Sequence, residues 1–359
     1  LYGSNALGGV INIISKEPRA DDPIVSVSYT YGSHGKPSQS AHDVNATSGI
    51  RIKNFGVVVT GGKHKNDYVN ANGDKYTEQV ERDNLYGTAK MHFYFLDDAH
   101  RITLLGRAIK DTMKGGYTGP RVVMIDYDED GTPELPRIQK RAIDNPFDPD
   151  AEHIHTTRWE YGVGYRGVFK PGNSLEVNWL QTKHDRDATN GGRIFKAGES
   201  QYMADLVYSH PIQDISTLTA GLNYQEQHLR QTINFMDDRN KNMKTIGAYI
   251  QDELRYKNVF EVVAGVRYDN VFDSSIKKDW AVTPRVAVRY TPLSFMNIRA
   301  SYGWGFKVPQ LFAEELHLCS KAPRVYVPRG LKSEKSQSVN AGVEFVHERI
   351  TAEVNYFYT

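Results

Sequence analysis

A single cysteine, Cys319, stands in 359 residues. An internal disulfide framework is therefore excluded, and the residue reads as an ordinary loop position. No stretch approaches the ~18 consecutive apolar residues of a membrane helix. That excludes helical spans but not a membrane barrel, whose strands alternate lipid-facing and lumen-facing residues and so keep the average hydropathy low. Neither sign of charge dominates: the net charge is +1, which gives no long-range pull toward nucleic acid or an anionic membrane. Catalytic signatures are missing too. There is no G-x-S-x-G, no H-E-x-x-H and no phosphate-binding loop, and no Ser/His/Asp set or acidic dyad stands out. The sequence thus argues against an enzyme. The first residues do not read as a signal peptide. They begin inside a motif, and the last residues stop inside a strand, so the chain is expected to be a piece of a longer one.

What is present is alternation. After residue 24, Val25, Val27, Tyr29 and Tyr31 alternate with Ser26, Ser28 and Thr30. Trp159, Tyr161, Val163 and Tyr165 alternate with Arg158, Glu160, Gly162 and Gly164, and Phe260, Val262, Ala264 and Val266 with Glu261, Val263, Gly265 and Arg267. One face is apolar and aromatic; the other is small, polar or charged. A strand between lipid and a wet lumen needs this pattern, but so does one face of a soluble sandwich. The 22 tyrosines favour the first, because an amphipathic ring belongs at a bilayer interface.

Connection lengths separate the two readings. Alternation predicts about fifteen strands. Every second connection is short: 51–54, 96–99, 170–173, 210–215, 257–259, 291–294 and 347–349. The others are mostly longer: 67–82, 112–156, 188–199, 232–242 and 306–336. Tight turns at one rim and long loops at the other mark an outer-membrane barrel. A sandwich has no reason to sort them.

Three stretches carry a family resemblance. The first runs from Leu1 to Ile14, with Gly3, Ser4, Ala6, Gly8 and Gly9 in a glycine-bearing turn before the branched run Val10 to Ile14. The second is Trp304-Gly305-Phe306-Lys307-Val308-Pro309-Gln310-Leu311, with Lys and Val where the family's late-barrel box has Arg and Ala. The third is Leu331-Lys332-Ser333-Glu334-Lys335-Ser336, with Ser333 where that box has proline. Their order resembles the TonB-dependent outer-membrane receptors. The resemblance implies an all-β fold. It would comprise the end of a plug domain over residues 1–20, then an antiparallel transmembrane β-barrel over 21–359, with about fifteen of about 22 strands present.

The resemblance also implies localisation in the outer membrane of a Gram-negative bacterium, and active transport of a scarce metal chelate. A ferric siderophore is the expected cargo, with cobalamin or haem as alternatives. A passive porin-like channel is the rival class, and the plug-like segment speaks against it. The implied partners are the TonB-ExbB-ExbD system acting on the plug, the chelate, outer-membrane lipid and, in some members, a surface lipoprotein. No nucleic acid and no resident cofactor are expected.

Candidate sites follow from residue chemistry. Asp126, Asp128 and Asp130 before Gly131 resemble the start of a calcium loop, although Arg137 stands where its bidentate Glu should be. Asp144, Asp148 and Asp150 lie in the same connection. His153 and His155, at i and i+2, share one face of a strand, as a metal pair would. His317 falls where haem receptors of the family often carry an axial histidine. Arg324, Tyr326 and Arg329 follow it and suit an anionic ferric chelate. Pro309 should end the strand through Tyr302 and Trp304; the box that holds Glu334 and Lys335 should open the return strand, with the two pinning it near the rim by a local ion pair.

Overall fold

The computed structural model describes residues 17–20, 22–34, 39–120, 141–169, 172–233, 240–257, 259–273, 279–308 and 333–359. These form one antiparallel sheet of 15 strands in sequence order: β1 (Ile24–Ser33), β2 (Ser40–Ile52), β3 (Phe55–Asn66), β4 (Glu81–Phe95), β5 (His100–Gly116), β6 (Ala151–Val168), β7 (Ser174–Asn190), β8 (Arg193–Ile212), β9 (Ser216–Ile233), β10 (Asn240–Tyr256), β11 (Phe260–Asp273), β12 (Asp279–Leu293), β13 (Met296–Lys307), β14 (Glu334–His347) and β15 (Ile350–Tyr358). The one helical turn among the described residues is the 3-10 turn Ala142–Asp144. The expected fold class and strand number are both observed, and the sheet itself starts at Ile24.

Register sorts the side chains. Trp159, Tyr161 and Val163 of β6 share a face with Val177 and Trp179 of β7, Leu206 and Tyr208 of β8, Leu222 of β9 and Ile246 and Ile250 of β10, all exposed. The opposite face holds glycines and polar groups. Ordinary folding buries aromatic and branched side chains; a whole sheet face that exposes them is built for a nonaqueous neighbour.

The tight rim is made of turns such as Lys53–Asn54, 213–215, 257–259 and Glu348–Arg349. Lys53, Gln213 and Lys257 adopt φ of 51°, 52° and 49°, the left-handed geometry that hairpin turns demand. No Asn-Gly pair announces them.

The other rim differs from the sequence expectation at two connections. The expected loop 188–199 is strand: β7 and β8 pair without a break up to Asn190↔Arg193. The turn is Gly191–Gly192, with φ of 57° and 76°, where two consecutive positive φ values favour glycine. Likewise β5 runs to Gly116 and β6 starts at Ala151, well inside the expected 112–156 connection. Beyond the apolar belt both faces of these strands are polar. Pairing continues there, but the alternation that reveals it stops.

A strand needs only about 9–11 residues to cross a bilayer, and β8 has 20. The surplus stands on the long-loop side. Ile250→Arg, mid-belt on the apolar face of β10, is expected to destabilise the barrel by about 2–4 kcal/mol in urea unfolding from lipid. Gln251→Arg on the opposite face should leave the midpoint near that of the parent.

Candidate functional site

The polar face is an ordered wall. Near the tight rim it carries a belt of arginine–acid pairs. Arg51 bonds Asp98 across adjacent turns and lies 3.8 Å over the Tyr94 ring. Arg166 meets Glu176 at 3.2 Å, Arg255 meets Glu261 at 3.2 Å, Arg289 meets Glu261 at 2.8 Å, and Arg299 meets Glu344 at 2.9 Å. These pairs are partly solvated and individually weak. Together they hold the guanidinium groups in fixed positions around the rim.

Higher on the wall, polar groups are buried. Glu160 of β6 receives Arg107 at 3.0 Å and Arg158 at 2.7 Å. Arg158 also borders a small cavity of about 130 Å³, lined besides by Thr182, His184, Glu199 and Gln201. Across β9 to β11 the Arg267 guanidinium forks onto Asp269, Nε to Oδ2 at 2.8 Å and Nη2 to Oδ1 at 2.7 Å, with Asp269 fully buried. Arg267 also donates to Asn223 Oδ1 at 3.4 Å, and Asn223 donates to Asp205. The fork lies in a notch made by Gly247: a Cβ there would fall on the guanidinium and 2.6 Å from Asp269 Oδ1. Lys241 and Asp273 form a second buried pair at 2.9 Å.

Between the Arg267 fork and this pair, Met243 and Val271 belong to an apolar cluster completed by Ala281, Phe306 and Val308. β13 stops pairing with β12 above Gly303 but stays paired with β14 up to Lys307↔Glu334. That parting lets Phe306 turn onto the β10–β12 wall. Glu334 opens β14, as expected. Ser333 hydrogen-bonds Asp279 at the outer end of β12, a bond that proline in its place could not make. β13 ends at Lys307.

His153 and His155 do share a face, and it is the face of Trp159 and Tyr161. His153 is tied by Nε2 to the Ile143 carbonyl at 2.6 Å, and His155 Nδ1 lies 3.0 Å from the Thr112 hydroxyl. Among the described residues no three His, Cys, Asp or Glu side chains come together as a metal site would require.

The turn that binds His153 is a built cap. Ile143 is fully buried, Ala142 N–H donates to the Gly119 carbonyl at 2.9 Å, and Arg141 forks onto Asp144 at 2.8 and 2.9 Å while reaching Glu81 at 3.5 Å. Gly116, with φ of 111°, lets Asp150 approach so closely that a side chain would strike its carbonyl. Asp148 is buried, and its Oδ1 accepts from the Asp150 N–H at 3.0 Å. Partial burial opposes the charge on Asp144, yet the Arg141 fork and nearby Lys114 hold its carboxyl below the usual range.

The remaining candidates, Gly3, Ser4, Ala6, Gly8, Gly9, Asp126, Asp128, Asp130, Pro309, His317, Arg324, Tyr326, Arg329, Leu331 and Lys332, lie outside the described residues. The buried Arg267–Asp269 pair escaped the sequence reading. Its only local signal is opposite charge at i and i+2, and the glycine that makes room for it is on another strand.

A family model described as "TonB dependent receptor-like, beta-barrel" matches residues 94–359. Among solved structures, the siderophore receptor PirA from Pseudomonas aeruginosa superposes with a TM-score of 0.72 at 15% identity, over 99% of this chain and 59% of that one. A variant of the ferric enterobactin receptor PfeA from the same organism, in complex with enterobactin, gives 0.72 at 16% identity, over 99% and 56%. The FrpB iron transporter from Neisseria meningitidis gives 0.66 at 18% identity, over 88% and 51%. The chain thus spans about half the length of these structures. At such identities the likeness establishes the fold.

Two outcomes follow from the geometry. Asp269→Asn leaves the Arg267 guanidinium buried without its countercharge and is expected to cost about 3–5 kcal/mol in denaturant unfolding. The cap responds to acid. Because the folded Asp144 carboxyl titrates below its unfolded value, its contribution is complete above the ordinary carboxylate range, about pH 4. It is lost as the pH falls through the lower folded value. Hydrogen exchange at residues 142–150 should stay slow at pH 6 and quicken only below that range.

Proposed function

The chain belongs to the TonB-dependent receptor-like β-barrel family, and from that membership we propose that the intact receptor actively imports a scarce metal chelate, a ferric siderophore before cobalamin or haem. Proteins of this fold reside in the outer membrane of Gram-negative bacteria, and the family consists of transporters, not enzymes.

The observation that carries the reading is the contrast between the two sheet faces. The apolar face suits lipid. The opposite wall is lined with arginine–carboxylate pairs, Arg107 and Arg158 on Glu160 and Arg267 on Asp269 among them, a polar lining that suits a wet lumen and a hydrogen-bonding cargo. PirA and PfeA, similar in fold, are described as a siderophore receptor and a ferric enterobactin receptor, and FrpB as an iron transporter, which supports iron as the metal.

In this reading the chelate binds on the long-loop side. The TonB-ExbB-ExbD system, driven by the inner-membrane proton gradient, pulls on a plug inside the lumen, and the cargo passes along the arginine-bearing wall. The acidic run Asp126, Asp128 and Asp130 is a candidate calcium site, and His317, Arg324, Tyr326 and Arg329 are candidate contacts for cargo. A surface lipoprotein is a further candidate partner.

The test is uptake of labelled ferric siderophore and labelled cobalamin by cells expressing the full-length receptor, with and without functional TonB. Siderophore uptake that requires TonB is the expected result. Uptake indifferent to TonB would mean a passive channel, and TonB-dependent uptake of cobalamin alone would overturn the cargo assignment.

A further inference from the structure

The arginine belt at the tight rim has one irregular member. Arg51, Arg166, Arg255, Arg289 and Arg299 each find an acid on the sheet or in its turns. Arg101, beside Arg166 in the register, is instead bonded at 2.5 Å to Glu17, a residue that precedes the sheet. Glu17 stands seven residues before Ile24, the start of β1, yet its partner is on β5. The stretch leading into β1 therefore does not approach from beyond the edge strand. It crosses the polar wall beneath β2 to β5.

A second contact fixes the crossing. Pro18 sits against Gly56 of β3 so tightly that a Cβ on Gly56 would lie 2.8 Å from the Pro18 ring. Gly56 is next to His92 and Arg51 in the register. Arg19 and Asp22 then bridge in a tight turn that reverses the chain toward β1. Charge holds one residue, shape holds the next, and the turn isolates both from β1.

We propose that this patch of inner wall, Gly56 on β3 and Arg101 on β5, is a docking surface for the segment that joins the plug to the barrel, and that the latch formed with Glu17 and Pro18 stays closed during transport. The inference rests on the transport reading above. A closed latch confines any remodelling of the plug to residues before Glu17 and delivers the pull to β5, a strand paired on both sides, rather than to β1.

The test uses the full-length receptor in its own outer membrane, with Cys319→Ser as background. A Cβ on Gly56 would lie 2.8 Å from the Pro18 Cγ, one bond from its Cβ, which keeps the two Cβ positions within the roughly 3.5–4.5 Å that a disulfide spans, so Pro18→Cys with Gly56→Cys should close on oxidation. The oxidised receptor is expected to import its chelate as well as the reduced one. Sensitivity to a large antibiotic normally excluded by the outer membrane reads the latch without any cargo. Arg101→Glu should raise it about tenfold, because a like charge then faces Glu17. Adding Glu17→Arg should restore it to within about twofold. Arg101→Gln, which removes charge without adding repulsion, guards against a folding defect, and should raise sensitivity at unchanged receptor level.

Loss of uptake on oxidation, regained on reduction, would show that the latch must open and overturn the proposal. So would unaltered sensitivity in both Arg101 variants, or a charge swap that restores nothing. A parent receptor that imports no chelate would fail the transport reading alone, leaving the antibiotic comparison intact.

Discussion

Inside hydrocarbon a backbone N–H or C=O has no water to turn to, and each one left unpaired costs several kcal/mol. Everything else in this structure is arranged around that demand. Fifteen strands pair in sequence order, each with its chain neighbours, so every interior strand is satisfied on both sides by segments close in sequence. The turns at the tight rim follow from the same demand. They must return the chain at once into the next ladder, and Lys53, Gln213 and Lys257 accept left-handed geometry to do so. With the backbone spoken for, the side chains are free to specialise by face.

That freedom explains how so many charges fit one wall. On the polar face the glycines supply space rather than flexibility. Gly247 admits the Arg267–Asp269 fork, and Gly221 lies under the Tyr249 ring. Opposite charges on neighbouring strands, such as Arg107 and Arg158 on Glu160, then neutralise one another without leaving the sheet. Such a wall is stiff and polar at once. The transport proposed above would ask for both properties, since a soft wall would collapse around a hydrated cargo and an apolar one would strip its water.

The alternation Trp159-Glu160-Tyr161-Gly162-Val163 was legible because period two is the direct imprint of a two-faced sheet, and the sorted rims were legible because turn length is counted in residues. The outer halves of β5 to β8 were not. Where Lys183, Asp185 and Asp187 face water on one side and His184 and Arg186 line the wall on the other, both faces are polar and the period vanishes although pairing does not. The Arg267 notch was hidden for a different reason: it depends on register between strands, which no single strand's sequence states. Ser333 was visible as a departure from the family's box, but its purpose needed Asp279, far back in the chain, to come within reach.

The Gly191–Gly192 turn also bears on how the cell surface is exposed to proteolysis. A protease grips its substrate as an unpaired, extended stretch of backbone laid along its cleft. The connection 67–80 stands outside the ladder but for isolated bridges, whereas β7 and β8 are paired to within two residues of their tip, and those two are glycines with no side chain for a specificity pocket. This hairpin presents a blade with almost no edge for a protease to seize.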